Sequence, residues 1–209
     1  MDKNFSLKML SSFDDFRKSQ SYVKSFFKKI GSGSSRDVFK ISDDRVLKLA
    51  KNKEGILQNE EEYDKSLSEA PFFAKIYQID DDSKWLVMEY ASKIKNSLIK
   101  SLYGVSFDMI SDSISLIFNN ISSKEKIFID IDKKTENMFK DFIKWMKNEP
   151  TNTIHFSNKL GNLMKNILIY MKENRVRKAD IMDWFTSDNW GIVKRNDDYE
   201  MVIIDMGLN

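Results

Sequence analysis

A glycine- and serine-rich segment, followed directly by a strand-like segment, is the feature that most constrains this chain. It runs Gly31-Ser32-Gly33-Ser34-Ser35, in a sequence with only seven glycines among 209 residues. Glycines this scarce are expected where the backbone must turn tightly or approach another group closely. Dinucleotide-binding and Walker loops run into a helix, and no Gly-Lys-Ser/Thr is present here. The segment therefore predicts a hairpin, either an ordinary turn or a loop over phosphates.

Composition excludes several kinds of site. Lys and Arg number 34 against 32 Asp and Glu, for a net charge of +2, which argues against a general nucleic-acid binder. With no Cys and one His, disulfides, thiolate zinc sites and most Ser-His triads are excluded. His155 is expected to be a surface or capping residue rather than a general base. We find no membrane span or secretory signal and expect a soluble cytoplasmic protein.

The first ninety residues have the short apolar alternation of strands. Two pairs of such runs flank polar turns and predict hairpins, and an acidic segment at 55–67 between them predicts a helix. The paired runs are 38–41 with 46–49, and 74–79 with 85–90. The order over residues 25–91 is therefore predicted as β-β-β-α-β-β.

After residue 91 the apolar spacing becomes helical, and a hairpin follows near the end. The predicted helices are 93–103, 106–119, 134–148 and 157–174, and the strands 190–193 and 201–204. We predict an N-terminal extension at 1–24, a sheet-rich lobe at 25–91 and a reduced helical lobe at 92–209.

Lys48 lies in the middle of the strand that follows the glycine hairpin, within Val-Leu-Lys-Leu-Ala. An ammonium on an apolar strand face needs a partner or a ligand, because an unpaired buried charge is costly; an edge lysine that reaches water is the alternative. The next helix contains Gln58-Asn59-Glu60-Glu61-Glu62. Glu62 is the predicted partner, since its side of the helix is expected to face the sheet.

An apolar strand near the end of the chain leads into Asp205-Met206-Gly207. A carboxylate at a strand tip, paired with Asn189 or Asp188 from the preceding loop, offers the hard oxygen ligands that suit Mg²⁺. Alone, Asp-x-Gly is common in turns. Here it is stronger evidence for a metal site, because it follows a glycine loop, a strand lysine and a helix glutamate.

In this order the motifs resemble the protein-kinase-like superfamily over residues 25–90 and 157–207, and are similar to small kinase-like proteins of tailed bacteriophages. The resemblance implies an α+β bilobal fold with a five-stranded antiparallel sheet, one helix beside it and a shortened helical lobe. It also implies ATP and Mg²⁺ as cofactors, with transfer to a Ser/Thr hydroxyl of a protein partner. The compartment would be the host cytoplasm if a phage encodes the chain.

The resemblance also implies roles for individual residues. Lys48 would anchor the ATP phosphates and Glu62 would hold it, while Asp183 would be the catalytic aspartate. Glu89 and Ala91 would belong to the hinge that contacts adenine. Asp205 would bind the metal. The predicted phosphate-covering residues are Gly31, Ser32, Gly33, Ser34, Ser35, Arg36 and Val38.

Several departures from the family pattern leave assignments open. Arg36 replaces the usual third glycine and either narrows the loop or adds a cation that reaches phosphate. The His-Arg-Asp triplet is absent, so Asp183 or Asp180 fills its place. Asn189 lies one residue beyond the expected position, where Asp188 stands. The sequence ends two residues after Gly207, so we expect no activation segment.

These departures keep two rival hypotheses open. The chain is an active phosphotransferase, or it is a pseudokinase that binds nucleotide or a partner without transfer. A third, weaker hypothesis is an α+β interaction protein whose motif matches are accidental.

Overall fold

The computed structural model describes residues 5–111, 158–174 and 184–205. They divide into two compact units, the first with the described residues up to 69 and 73–91, and the second with 70–72 and those from 92 to 205. Some of the predictions lie outside the described residues. They concern the helix at 134–148, the part of the predicted helix at 106–119 that follows residue 111, and the residues His155, Asp180, Asp183 and Gly207.

The first unit is built on a five-stranded antiparallel sheet. Its helices are α1 (Leu7–Ser11), α2 (Phe16–Lys24) and α3 (Lys53–Ser66), and its strands are β1 (Lys28–Ser32), β2 (Arg36–Lys40), β3 (Arg45–Ala50), β4 (Ile76–Ile79) and β5 (Trp85–Glu89). The strands lie in the order β1-β2-β3-β5-β4, and α3 is inserted between β3 and β4. The α+β prediction with a five-stranded antiparallel sheet is confirmed, and α3 is the helix predicted within it; α1 and α2 add two helices to this unit.

The two faces of this sheet differ in character, because side chains alternate along each strand. On one face Phe39, Leu47, Leu49, Trp85 and Val87 form an apolar core that is completed by Leu10 of α1 and Val23 of α2. Residues from the predicted N-terminal extension therefore pack on the sheet and belong to the first unit. The other face carries Lys48, which lies opposite Val38 in register.

The second unit contains a three-stranded sheet and several helical segments. Its elements are β6 (Ser92–Lys93), α4 (Asn96–Tyr103), α5 (Asn158–Asn174), a 3₁₀ turn (Ser187–Asn189), β7 (Trp190–Arg195) and β8 (Asp198–Ile203). Residues 107–111 are also helical. Asn196 and Asp197, both at positive φ, join β7 to β8, as two-residue hairpin turns require. The predicted C-terminal hairpin is present.

Tyr103 joins α4 to this hairpin. Its hydroxyl accepts a hydrogen bond from the buried Met201 N–H at 2.8 Å, and burial raises the pKa of Tyr103 to about 12. Tyr103→Phe removes that acceptor, so we expect the free energy of unfolding to fall by about 1–3 kcal/mol. Urea denaturation measures it, with the exposed Tyr199→Phe as control. Equal losses in the two variants would contradict the assignment.

Candidate functional site

Lys48 and Glu62 form a buried ion pair that joins β3 to α3. The lysine Nζ lies 2.7 Å from Glu62 Oε1 and 2.9 Å from Oε2. Glu62 is 0% exposed and Lys48 is 6% exposed. The pair forms because the residues before and after Lys48 point into the apolar core, which turns the lysine toward α3.

Arg36 is the second cation on the same carboxylate. Its Nη1 lies 2.8 Å from Glu62 Oε1, and it also donates to Asn59 Oδ1 at 3.4 Å. The register sets Arg36 opposite Ala50, on the face of the sheet that carries Lys48. The contact of Arg36 with Glu62 was not predicted from the sequence. The two predicted roles of Arg36 were to narrow the loop or to reach a phosphate.

The glycine segment forms the predicted hairpin between β1 and β2. Gly33 N–H donates to the carbonyl of Arg36 at 2.9 Å, which closes the turn. Ser32, Gly33 and Ser34 are exposed, whereas Ser35 is buried. The loop thus has an exposed tip and an anchored base.

The base of the loop is attached to α3 and to the end of β3. Ser35 Oγ donates to Gln58 Oε1 at 2.5 Å, and the Ser35 carbonyl accepts from Lys51 N–H at 2.7 Å. The Lys51 ammonium also bonds the Gly33 carbonyl. A displacement of α3 would therefore move the loop with it.

Gly55 in the first turn of α3 is a residue that the sequence reasoning missed. A Cβ at this position would lie 2.3 Å from the carbonyl oxygen of Ser35 and 3.0 Å from Ala50. The helix can approach the loop base only because this side chain is absent. The signal available in the sequence was the scarcity of glycine, combined with a glycine inside a predicted helix.

Gly55→Ala is expected to push α3 away from the loop and to lower the free energy of unfolding by about 1–3 kcal/mol. Gly161→Ala in α5 is the matched control, because a Cβ there meets nothing within 4 Å and removing a helical glycine gains about 0.5–1 kcal/mol. Thermal or urea denaturation measures both. The two variants should change the free energy of unfolding in opposite directions, and a gain in stability for Gly55→Ala would show that α3 does not need the glycine to approach the loop.

Asn59 is a second residue that the sequence reasoning missed. It is 0% exposed, and its Nδ2 donates to the Ser83 carbonyl in the β4–β5 turn at 2.8 Å. Because it also accepts from Arg36, it links the start of β2 to the β4–β5 turn. Asn59 is polar and belongs to no apolar periodicity, so the sequence did not mark it as a buried residue.

At the end of β5, Glu89 and Tyr90 use their N–H groups within the first unit. Glu89 N–H donates to the Lys75 carbonyl at 2.8 Å and Tyr90 N–H to the Asp44 carbonyl at 2.7 Å. The Glu89 carboxylate accepts from Lys75 N–H at 3.2 Å. Ala91, the last residue of the predicted hinge, is half-buried.

Asn189 and Asp205 lie at the same end of the C-terminal hairpin. Trp190 pairs with Ile203, and the Ile204 N–H donates to the Asn189 carbonyl at 2.8 Å, so Asp205 follows directly. Both residues are half-buried, whereas Asp188 is exposed. Within the described ranges, three or more His, Cys, Asp or Glu side chains nowhere cluster as a metal site would require. One carboxylate and one amide oxygen still fit Mg²⁺, which completes its shell with waters and phosphate oxygens.

Comparisons with known proteins give a weak likeness to solved structures. The chain matches no protein-family model and no curated protein at a significant level. It is similar to the streptomycin–ATP–APH(2")-IIa ternary complex, with 12% identity, 98% of this chain and 71% of that chain covered, and a TM-score of 0.38. It is also similar to aminoglycoside phosphotransferase APH(4)-Ia, with 9% identity, 90% and 70% coverage, and a TM-score of 0.31. In the parts of the chain that the structure describes, no helix has the length and apolar character to cross a membrane.

Proposed function

We propose that the chain is an ATP- and Mg²⁺-dependent phosphotransferase of protein-kinase-like fold. The observation that carries the proposal is the buried Lys48–Glu62 pair, at 2.7 Å, beside a glycine-serine hairpin. Phosphoryl transfer is catalysed mainly by positioning and by stabilising charge. A strand lysine that is oriented by a helix glutamate supplies a cation for the phosphates.

In this proposal each part of the first unit has one task. Lys48 binds the α- and β-phosphate oxygens and Glu62 orients its ammonium. The exposed loop tip, residues 32–34, covers the phosphates. Since the Glu89 and Tyr90 N–H groups are used within the first unit, we assign the donor to an adenine ring nitrogen to Ala91.

The second unit would hold the metal. Asp205 supplies a carboxylate, and we favour Asn189 over Asp188 as the second ligand because its backbone pairs directly with Ile204. Bound Mg²⁺ would neutralise charge on the phosphates. Asp183 would accept the proton of the acceptor hydroxyl, which we propose to be a Ser or Thr side chain of a protein.

The alternative is a pseudokinase, and a specific observation favours it. The sequence lacks His-Arg-Asp and has Asn189 one residue beyond the family's position. Such a chain would bind nucleotide or a partner protein without transferring phosphate.

The test is label transfer from [γ-³²P]ATP with Mg²⁺, to the chain itself and to a host lysate. We expect transfer by the wild-type chain and its loss in both Lys48→Ala and Asp205→Ala, with Lys53→Ala, an exposed lysine of α3, as control. Full activity in either site variant would refute the assigned roles. A nucleotide-dependent thermal shift without transfer would establish the pseudokinase alternative, because any nucleotide binder is stabilised by mass action. Label on small-molecule hydroxyls alone would overturn the protein acceptor.

A further inference from the structure

The carboxylate of Glu62 bonds two cations rather than one. Lys48 contacts both of its oxygens, and Arg36 contacts Oε1 at 2.8 Å. All three side chains are less than 10% exposed. Their formal charges sum to +1, because two cations share one carboxylate.

The neighbouring acid on β2 does not offset this charge from the same face. Asp37 pairs with Leu49 in register and so points to the opposite face of the sheet. There it accepts a hydrogen bond from Ser32 Oγ at 2.6 Å and lies 3.5 Å from Lys29 Nζ. Asp37 thus belongs to a separate group of polar contacts on the opposite face.

We infer that Arg36 is a positioning residue that keeps the Glu62 carboxylate neutralised, so that the Lys48 ammonium can turn from Glu62 to a phosphate. This inference rests on the proposed function, in which Lys48 binds ATP. If Glu62 had Lys48 as its one counter-ion, moving the ammonium toward a ligand would leave a buried carboxylate unpaired, which is strongly unfavourable. With Arg36 in place, the carboxylate remains paired while Lys48 turns to the ligand.

The surroundings of Arg36 suit a residue that stays in place. Arg36 is the first residue of β2, and its carbonyl accepts from Gly33 N–H at 2.9 Å. Its guanidinium also bonds Asn59, which is held by the Ser83 carbonyl. A planar guanidinium with several fixed donors loses less freedom per hydrogen bond than an ammonium does. An ammonium on a flexible four-carbon chain is the easier of the two cations to redirect.

Binding of Mg-ATP and of adenosine, measured by titration calorimetry, tests the inference. We expect Arg36→Gln to weaken ATP binding about tenfold, within the range of coupling between residues of one charge network, and to leave adenosine binding unchanged. The double variant Arg36→Gln/Glu62→Gln should bind ATP more tightly than Arg36→Gln, because the Lys48 ammonium is no longer held by a buried carboxylate. Its affinity should stay below that of the wild type, because Glu62 no longer orients Lys48. Arg36→Lys should retain most of the affinity, and Arg17→Gln, an exposed arginine of α2, is the control.

The outcomes separate the inference from the proposed function. If the wild-type chain binds no ATP, the proposed function fails and the inference fails with it. If it binds ATP but the double variant is as weak as Arg36→Gln, Arg36 acts on the ligand directly and the inference alone is overturned. Should the double variant not fold, a structure of the wild-type chain with a non-hydrolysable ATP analogue decides. The inference requires Arg36 on Glu62 and Lys48 on the phosphates, and a guanidinium on phosphate refutes it.

Discussion

Glu62→Gln is expected to lower the free energy of unfolding by about 3–5 kcal/mol, the usual cost of removing one partner from a buried ion pair. The substitution preserves shape but removes the negative charge that Lys48 and Arg36 share at 2.7 and 2.8 Å. Two cations then remain together in a buried site. Urea denaturation measures the loss.

Glu60→Gln is the matched control, since it removes the same charge from an exposed position of the same helix. It is expected to change stability by less than about 0.5 kcal/mol, as surface substitutions usually do. If the two variants were equally stable, Glu62 would not be the counter-ion of the cluster.

Lys48→Met is expected to lower the affinity for ATP strongly and the free energy of unfolding only a little. The apolar replacement leaves Glu62 paired with Arg36, so we expect a smaller loss of stability than in Glu62→Gln. The affinity for ATP should fall roughly 10- to 150-fold, the equivalent of the 1.5–3 kcal/mol that a hydrogen bond to a charged group contributes. Titration calorimetry with Mg-ATP measures it.

Adenosine and Lys53→Met are the two controls for this experiment. Adenosine has no phosphates, so its affinity should be the same with and without Lys48. Lys53 is an exposed lysine in the first turn of α3, and its replacement should leave ATP binding unaltered. An ATP affinity that Lys48→Met does not change would show that the lysine serves the fold alone.

The element order and the lysine–glutamate contact could be predicted because both follow from local periodicity. Alternation along β3 turns Lys48 away from the face of Leu47 and Leu49, and α3 is the next element in sequence. The nearest acid on the inner side of that helix is then Glu62. The hairpins could be predicted for the same reason, because polar turn residues mark them in the sequence. One example is the turn through Asn196 and Asp197.

The rest depended on contacts between distant segments. Arg36 meets Glu62 across 26 positions of sequence, where the loop base packs closely against Gly55, and neither periodicity nor composition predicts that packing. The first 24 residues look polar because only a few of them, among them Leu10 and Val23, enter the core. Tertiary packing decides such segments more than local propensity does.

The role of Lys48 as the phosphate-binding cation can be tested with a crystal structure of the wild-type chain bound to Mg²⁺ and a non-hydrolysable ATP analogue. We expect Lys48 Nζ to lie at hydrogen-bond distance, about 3 Å, from an oxygen of the α- or β-phosphate, with Arg36 still in contact with Glu62. A triphosphate that is bound away from Lys48, or an analogue that does not bind at all, would contradict it.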